Sequence, residues 1–270
     1  MAYKLLALDM DGTLLNSQKK ISPKTAAAIA ELSRSGIAVV LSTGRGVAEL
    51  ADYKAELKFM HYGVTISGGL VYDFFNNKPV IAHPLAEDLM LKIIDAGLDE
   101  RAMIHLLSID KSLMREDDIQ HTPDFQMAVY QDMYNRICTR CEDFKAYAHE
   151  HVGEIIKVNM YHRTPESMRR NYERLKNLPL TLAVAETTAL ESSPRGISKA
   201  SGLRELCDFL KIDISETVAV GDAPNDIEIL KTAGVAAVMG NATDDIKVLA
   251  DFVTADNDHD GIVKIIEKFF

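Results

Sequence analysis

The chain predicts an α/β fold: a Rossmann-like, doubly wound parallel sheet with an inserted α+β domain. Three observations carry that prediction. Short, wholly apolar runs such as Leu5-Leu6-Ala7-Leu8 read as strands buried on both faces. They alternate with helix-length segments across residues 1–82 and again across 190–270, the grammar of a parallel sheet covered by helices. Between these stretches, residues 83–189 change character, and their roughly 100 residues match the size of a small domain. The expected division is therefore a core built from 1–82 and 190–270, with 83–189 inserted as a cap.

The elements follow in order. After the first strand, Ser22 before Pro23 supplies an N-cap and a proline at the first helical position, so a helix runs over Ala26 to Leu32 and ends at Gly36. Ile37 to Leu41 is a second strand and Val47 to Leu57 a second helix. Val64 to Ile66 is a third strand, and Leu70 to Tyr72 pairs with Val80 to Ala82 across Asn76-Asn77. At the other end, helix Ser198 to Leu210 leads to strand Thr217 to Val220, helix Asp226 to Ala233 and strand Val235 to Val238. Helices Asp244 to Leu249 and Gly261 to Phe270 complete the core. In the insert, helices are expected at Glu87 to Ala96, Arg136 to His149 and Pro165 to Leu175. Strands are expected at Met103 to Leu107, Ile155 to Tyr161 and Leu180 to Val184, with a hairpin reaching Leu113.

Composition narrows the function classes. Thirty basic against forty acidic residues leave a net charge of −10 with no basic cluster, which argues against nucleic acid and anionic membranes as partners. The 47% hydrophobic content supports a real core. Met1-Ala2-Tyr3-Lys4 and four apolar residues do not make a signal peptide, and no run approaches the roughly 20 apolar residues of a membrane helix. Three cysteines are too few for a disulfide framework, so a cytoplasmic setting is expected; oligomeric state is left open.

Four short motifs fall at expected strand ends or helix starts. Asp9-Met10-Asp11-Gly12-Thr13 follows the first strand and Thr43-Gly44-Arg45 the second. Lys199 opens a helix after Gly196-Ile197-Ser198, and Asp222, Asn225 and Asp226 follow Val220-Gly221. If the strands are parallel, these ends meet at one edge, where open α/β sheets bind ligands. Carboxylates, a hydroxyl, an amide and an ammonium gathered there suit phosphoryl transfer, which needs charge neutralisation and in-line placement. Oxygen ligands from Asp9, Asp222 and a main-chain carbonyl fit Mg²⁺. A carboxylate nucleophile can form an aspartyl-phosphate, while a second carboxylate two residues on moves the protons.

The ordered set of motifs resembles the haloacid dehalogenase-like hydrolases, specifically the Cof-type (IIB) sugar-phosphatase branch. The matching pieces include Asp9-Met10-Asp11-Gly12-Thr13-Leu14, Ser42-Thr43-Gly44-Arg45, Gly196-Ile197-Ser198-Lys199 and Gly221-Asp222-Ala223-Pro224-Asn225-Asp226. Met239-Gly240-Asn241-Ala242 and Asn257-Asp258-His259-Asp260-Gly261 match as well. The resemblance implies a Mg²⁺-dependent phosphatase acting on a small, sugar-like phosphate. Asp9 would be nucleophile and metal ligand, and Asp11 the acid/base, touching the metal through its carbonyl. Thr43 and Lys199 would grip the phosphate, and Asp222 would be the downstream metal ligand. Gly44, Arg45, Asn225 and Asp226 would line the substrate or support the metal. The long gap between Thr43 and Lys199 is where this family places its large cap. A phosphomutase of related fold and a noncatalytic phosphosugar-binding regulator are the alternatives.

Three positions depart from the family pattern. Ser67-Gly68-Gly69 stands where Asn-Gly-Ala is usual, leaving Ser67 as the replacement for the amide. Ala200 follows Lys199 in place of glycine, and Pro224 stiffens the acidic loop. Cys138 and Cys141 form a CxxC in the insert with no second such pair, so a structural pair is expected in preference to a metal site. Asp258 and Asp260 read as turn formers ahead of Gly261 and are left out of the catalytic set.

Overall fold

The computed structural model describes residues 3–270; Met1 and Ala2, which open the segment read as lacking a signal peptide, lie outside the described residues. The chain divides into two compact units. Among the described residues, one takes 3–44, Tyr53–Ile81 and Ser198–Phe270, and the other Arg45–Asp52 with Ala82–Ile197. Among the described residues no helix is long and apolar enough to cross a membrane.

The first unit holds an eight-stranded sheet. From one edge, its strands are Phe252–Val253, Val235–Val238, Thr217–Gly221, Leu5–Leu8, Ala38–Ser42, Tyr62–Thr65, Leu70–Asp73 and Lys78–Ala82. The first six are parallel, and Leu70–Asp73 turns back antiparallel on Tyr62–Thr65. The chain winds from Leu5–Leu8 outward to one side, then returns through Thr217–Gly221 to the other. The switch point of the sheet thus lies between these two strands. Leu5–Leu8 is closed to solvent throughout, as a central parallel strand requires.

Register decides what meets at the switch point. Leu8 pairs with both Leu41 and Val220, so the next residues of three strands emerge side by side: Asp9, Ser42-Thr43 and Gly221-Asp222. Helix Pro23–Arg34 starts as expected: the Ser22 hydroxyl accepts from the Thr25 amide and Pro23 occupies the first turn. The expected single helix from Val47 to Leu57 is a 3₁₀ segment, Val47–Tyr53, followed by one α-turn, Lys54–Leu57. The expected helix from Asp226 likewise opens as a 3₁₀ turn at Pro224 before Ile227–Thr232.

The second unit is a six-stranded sheet in the order Leu180–Glu186, Ala189–Pro194, Ile155–Tyr161, Met103–Ser108, Ser112–Met114 and Thr139–Arg140. Helices Glu87–Asp99, Phe144–Glu150 and Pro165–Leu175 pack on one face through Ile93, Ile94, Phe144 and Leu175. The expected boundary at 189 falls at the start of strand Ala189–Pro194, which pairs on both sides within this sheet. The unit therefore runs on to Ile197 and also takes Arg45–Asp52 from the core side of the expected division. The expected helix from Arg136 to His149 is also corrected. Gln131–Ile137 ends at Cys138, strand Thr139–Arg140 intervenes, and a new helix starts at Phe144 with Asp143 as its cap. The break turns the two cysteines apart. Cys141 packs with Leu106, Phe144 and Val158, whereas Cys138 packs in a separate cluster with Met103, Met114 and Phe125. Both are free and buried, and burial pushes Cys138 up to about 12 and Cys141 to about 11, so neither is a thiolate.

Candidate active site

Asp9 leaves the first strand with its amide donating to the Val220 carbonyl at 3.0 Å, which locks it to the neighbouring strand. The loop then folds under itself: the Leu14 amide donates to Asp9 and that of Leu15 to Met10. Gly12 adopts φ +85°, and a Cβ there would come within 2.3 Å of Asp222 Oδ2. Glycine is what lets the Asp222 carboxylate lie against the backbone. The Thr13 hydroxyl donates to the other oxygen, Asp222 Oδ1, at 2.7 Å.

Lys199 sits at the first turn of helix Lys199–Leu210, whose cap Ser198 exchanges bonds with Ser201 in a capping box. A cation at a helix N-terminus opposes the dipole. Carboxylates offset that cost: Lys199 Nζ donates to Asp9 Oδ1 at 2.5 Å and to Asp226 Oδ1 at 2.7 Å. All three side chains are almost wholly buried. Asp226 Oδ2 accepts from the amides of Asp222 and Ala223, so Asp226 also shapes the loop that carries Asp222.

The electrostatics follow from this crowding. Burial pushes Asp9 up to about 7; Lys199 opposes the shift, while Asp226 and Asp222 reinforce it. Burial works against the Lys199 ammonium, but Asp9 and Asp226 outweigh it and hold the amine above its usual range. Asp222 is raised too, chiefly by burial. Oxygens of Asp9, Asp222 and Asp226 all lie within 4.8 Å of one another. Three carboxylates with one ammonium leave an excess of negative charge, and an all-oxygen donor set fits a hard divalent cation.

The structure thus brings together Asp9, Lys199, Asp222 and Asp226, and places Thr43 beside them on the adjacent strand end. Thr43 is buried, with its amide donating to Val64 and its carbonyl accepting from Ser67. The carboxylate of Asp11 is not among the converging three. It is partly exposed and pairs with Lys19 at 2.9 Å. Asn225 is exposed on the acidic loop. Arg45 belongs to the second unit, where its guanidinium lies 3.9 Å from Met133 Sδ, whereas Gly44 stays with the core. Ser67, which replaces the usual amide, has its hydroxyl 3.3 Å from where a Gly44 Cβ would stand. Gly68 follows at φ +95°, and a Cβ there would come within 1.9 Å of the Ser198 carbonyl, so glycine brings this turn onto the start of the Lys199 helix.

Two asparagines assigned no role from sequence support the site. Asn241 Nδ2 donates to the Gly12 carbonyl at 2.9 Å and to Asp222 Oδ2 at 3.3 Å. Asn257 donates to the Leu15 carbonyl at 2.8 Å, and its amide bonds Asn241 Oδ1. Asp258 and Asp260 tie this region together, accepting from the Ser17 amide and the Ser22 hydroxyl. The signal for these residues was their place in Met239–Ala242 and Asn257–Gly261, both C-terminal to the parallel strands.

The family model for haloacid dehalogenase-like hydrolases matches residues 6–266. The 5-amino-6-(5-phospho-D-ribitylamino)uracil phosphatase YcsE of Bacillus subtilis is 29% identical, covering 98% of this chain and 95% of its own. A haloacid dehalogenase-like hydrolase from Bacteroides thetaiotaomicron superposes with a TM-score of 0.86 at 24% identity, over 99% of this chain and 100% of its own. A subclass IIB sugar phosphatase shares the fold at a TM-score of 0.81 and 20% identity, over 98% of each chain. With the family's model spanning nearly its whole length, the chain belongs to the haloacid dehalogenase-like hydrolases.

Proposed function

We propose that the chain is a Mg²⁺-dependent phosphomonoester hydrolase acting on a small, hydroxyl-rich phosphate ester. The observation that carries this reading is the buried Asp9–Lys199–Asp226 cluster beside Asp222, at the switch point of a parallel sheet. Asp9, Asp222 and the Asp11 main-chain carbonyl would hold the ion. When bound, Mg²⁺ supplies charge neutralisation for the phosphoryl oxygens.

Asp9 attacks phosphorus as the ester P–O bond breaks, and the departing alkoxide takes the proton of the Asp11 carboxyl, which turns from Lys19 to reach it. Water then gives its proton to Asp11 and attacks the aspartyl-phosphate, breaking the bond to Asp9 and releasing inorganic phosphate. Lys199 orients Asp9 and offsets charge between it and the incoming phosphoryl group. The Thr43 hydroxyl and the Gly44 amide hold phosphoryl oxygens. Asp226 and Asn225 keep the Asp222 loop in place.

The relative named for a phosphoribitylamino-uracil and the structural neighbour named a sugar phosphatase support a hydroxyl-rich ester. The absence of a basic cluster supports a small substrate over a nucleic acid. The test is phosphate release from p-nitrophenyl phosphate with and without Mg²⁺. Wild type is expected to require the ion and Asp9→Asn to be inactive; undiminished turnover by Asp9→Asn overturns the nucleophile.

A further inference from the structure

The Asp11 carboxylate has a partner that the reaction itself does not use. Lys19 Nζ donates to Asp11 Oδ1 at 2.9 Å, and both residues belong to the first unit. Lys19 sits in a tight turn of the loop that continues from the Asp9 strand. Its amide donates to the Asn16 carbonyl at 2.9 Å, and the Asn16 amide returns a bond to the Lys20 carbonyl. The side-chain oxygen of Asn16 accepts from the Gln18 and Lys20 amides at 3.0 and 2.9 Å, which closes the turn.

Two features separate this residue from an ordinary surface lysine. Lys19 adopts φ +57°, in the left-handed region where glycine and asparagine fit readily and a lysine backbone is strained. The turn is also fastened to the core at three points. The Tyr53 hydroxyl donates to the Lys19 carbonyl at 3.2 Å, the Ser17 amide to Asp258 Oδ1 at 2.9 Å, and Asn257 Nδ2 to the Leu15 carbonyl at 2.8 Å. A strained residue held from several sides points to a use for its side chain. Here the turn aims the ammonium at Asp11, whose carboxylate stands apart from the converging Asp9, Asp222 and Asp226.

We infer that Lys19 is a positioning residue: it holds the Asp11 carboxylate in a resting orientation, and their pair opens before Asp11 reaches the leaving oxygen. The inference rests on the hydrolase reading above and adds a control to its proton-transfer step. The two side chains are 51% and 37% exposed, so the pair is weak enough to open. A pair of that kind shifts an equilibrium by about two- to fivefold, which biases the carboxylate without locking it. The bias should fall on esters according to their leaving group. A departing alkoxide needs the Asp11 proton, whereas p-nitrophenolate leaves without one, so only the first requires the carboxyl to turn in. The bias should also weaken with salt, which screens exposed charges.

The test compares kcat/KM for glycerol 1-phosphate with that for p-nitrophenyl phosphate, using the full chain with Mg²⁺ at low salt. Lys19→Gly and Lys19→Asn, both suited to the left-handed turn, are each expected to raise the alkyl-to-aryl ratio about two- to fivefold. Lys19→Arg keeps the charge and should keep the wild-type ratio. Sodium chloride at about 0.5 M should raise the ratio of wild type and not that of Lys19→Gly. A ratio unchanged or lowered in the two neutral variants overturns the inference. Independently of turnover, the side-chain nitrogen resonance of Lys19 is followed in the Asp9→Asn protein. Mg²⁺ with glycerol 1-phosphate should move it towards its position in the Asp11→Asn protein; a resonance that stays in place marks a pair that does not open and overturns the inference. If wild type releases no phosphate from any ester, the hydrolase reading fails, and the Lys19 resonance alone decides whether the pair opens.

Discussion

The ammonium of Lys199 stands 2.7 Å from the carboxylate of Asp226, and both side chains are closed to water. The same ammonium holds Asp9, so one cation compensates two buried anions. Removing it leaves both uncompensated, and breaking a buried pair from one side costs about 3–5 kcal/mol. Lys199→Met is expected to lower metal-free stability by about that amount in urea unfolding. Added Mg²⁺ should recover part of the loss, because the ion neutralises the same carboxylates.

Gly12 makes a different kind of prediction. Its φ of +85° and the 2.3 Å approach to Asp222 Oδ2 leave no room for a methyl group. Gly12→Ala is expected to cost about 1–2 kcal/mol in backbone strain. It should also displace Asp222. The Mg²⁺ concentration for half-maximal activity should rise about tenfold or more, while the circular dichroism spectrum stays that of wild type.

Asn241 holds the Gly12 carbonyl and Asp222 Oδ2 together without belonging to the converging carboxylates. Asn241→Ala should therefore raise the Mg²⁺ requirement about tenfold, the usual effect of losing a group that orients a metal ligand. Asn241→Asp loses the same donor but adds a carboxylate beside the ion, so its Mg²⁺ requirement should rise less than that of alanine. Magnesium titrations of the two variants check the order.

Glu100 gives a pH dependence remote from the site. It accepts from Arg170 Nε and Nη2 at 2.8 and 2.6 Å and from the Ser167 hydroxyl at 2.8 Å. These bonds, Arg170 foremost, lower its carboxyl from 4.5 to about 2. A carboxyl lowered on folding stabilises the protein above its unfolded value, and that stability is lost as pH falls from 4.5 towards 2. After allowance for solvent screening, Glu100→Gln should cost about 1 kcal/mol at pH 7. The gap to wild type in urea unfolding should shrink at pH 3.

Legibility in sequence tracked how local each cause was. Leu5–Leu8, the Ser22-Pro23 start and helix Pro165–Leu175 were readable because strand burial and helix caps are written in neighbouring residues. Strand Ala189–Pro194 was not. Its Glu191-Ser192-Ser193 run has little strand propensity, and pairing with Ile155–Tyr161 and Leu180–Glu186 holds it extended. The helix expected through Cys138 failed because residues 139 and 140 pair with Leu113 and Met114, a distant contact that outweighs helical propensity.

By itself the sequence determined the strand–helix alternation and the kinds of groups that stand at the strand ends, since both follow from local pattern and composition. Tertiary structure decided the rest. Parallel register set Asp9 beside Asp222, and the Ser198 cap aimed Lys199 between Asp9 and Asp226. Asp226 thereby moved from a supporting place to the centre of the cluster, while the Asp11 carboxylate turned out to Lys19. His105, Asn159 and Glu191 likewise become neighbours only across strands. Residues far apart in the chain become neighbours through pairing and packing, and no local pattern encodes which pairs will form.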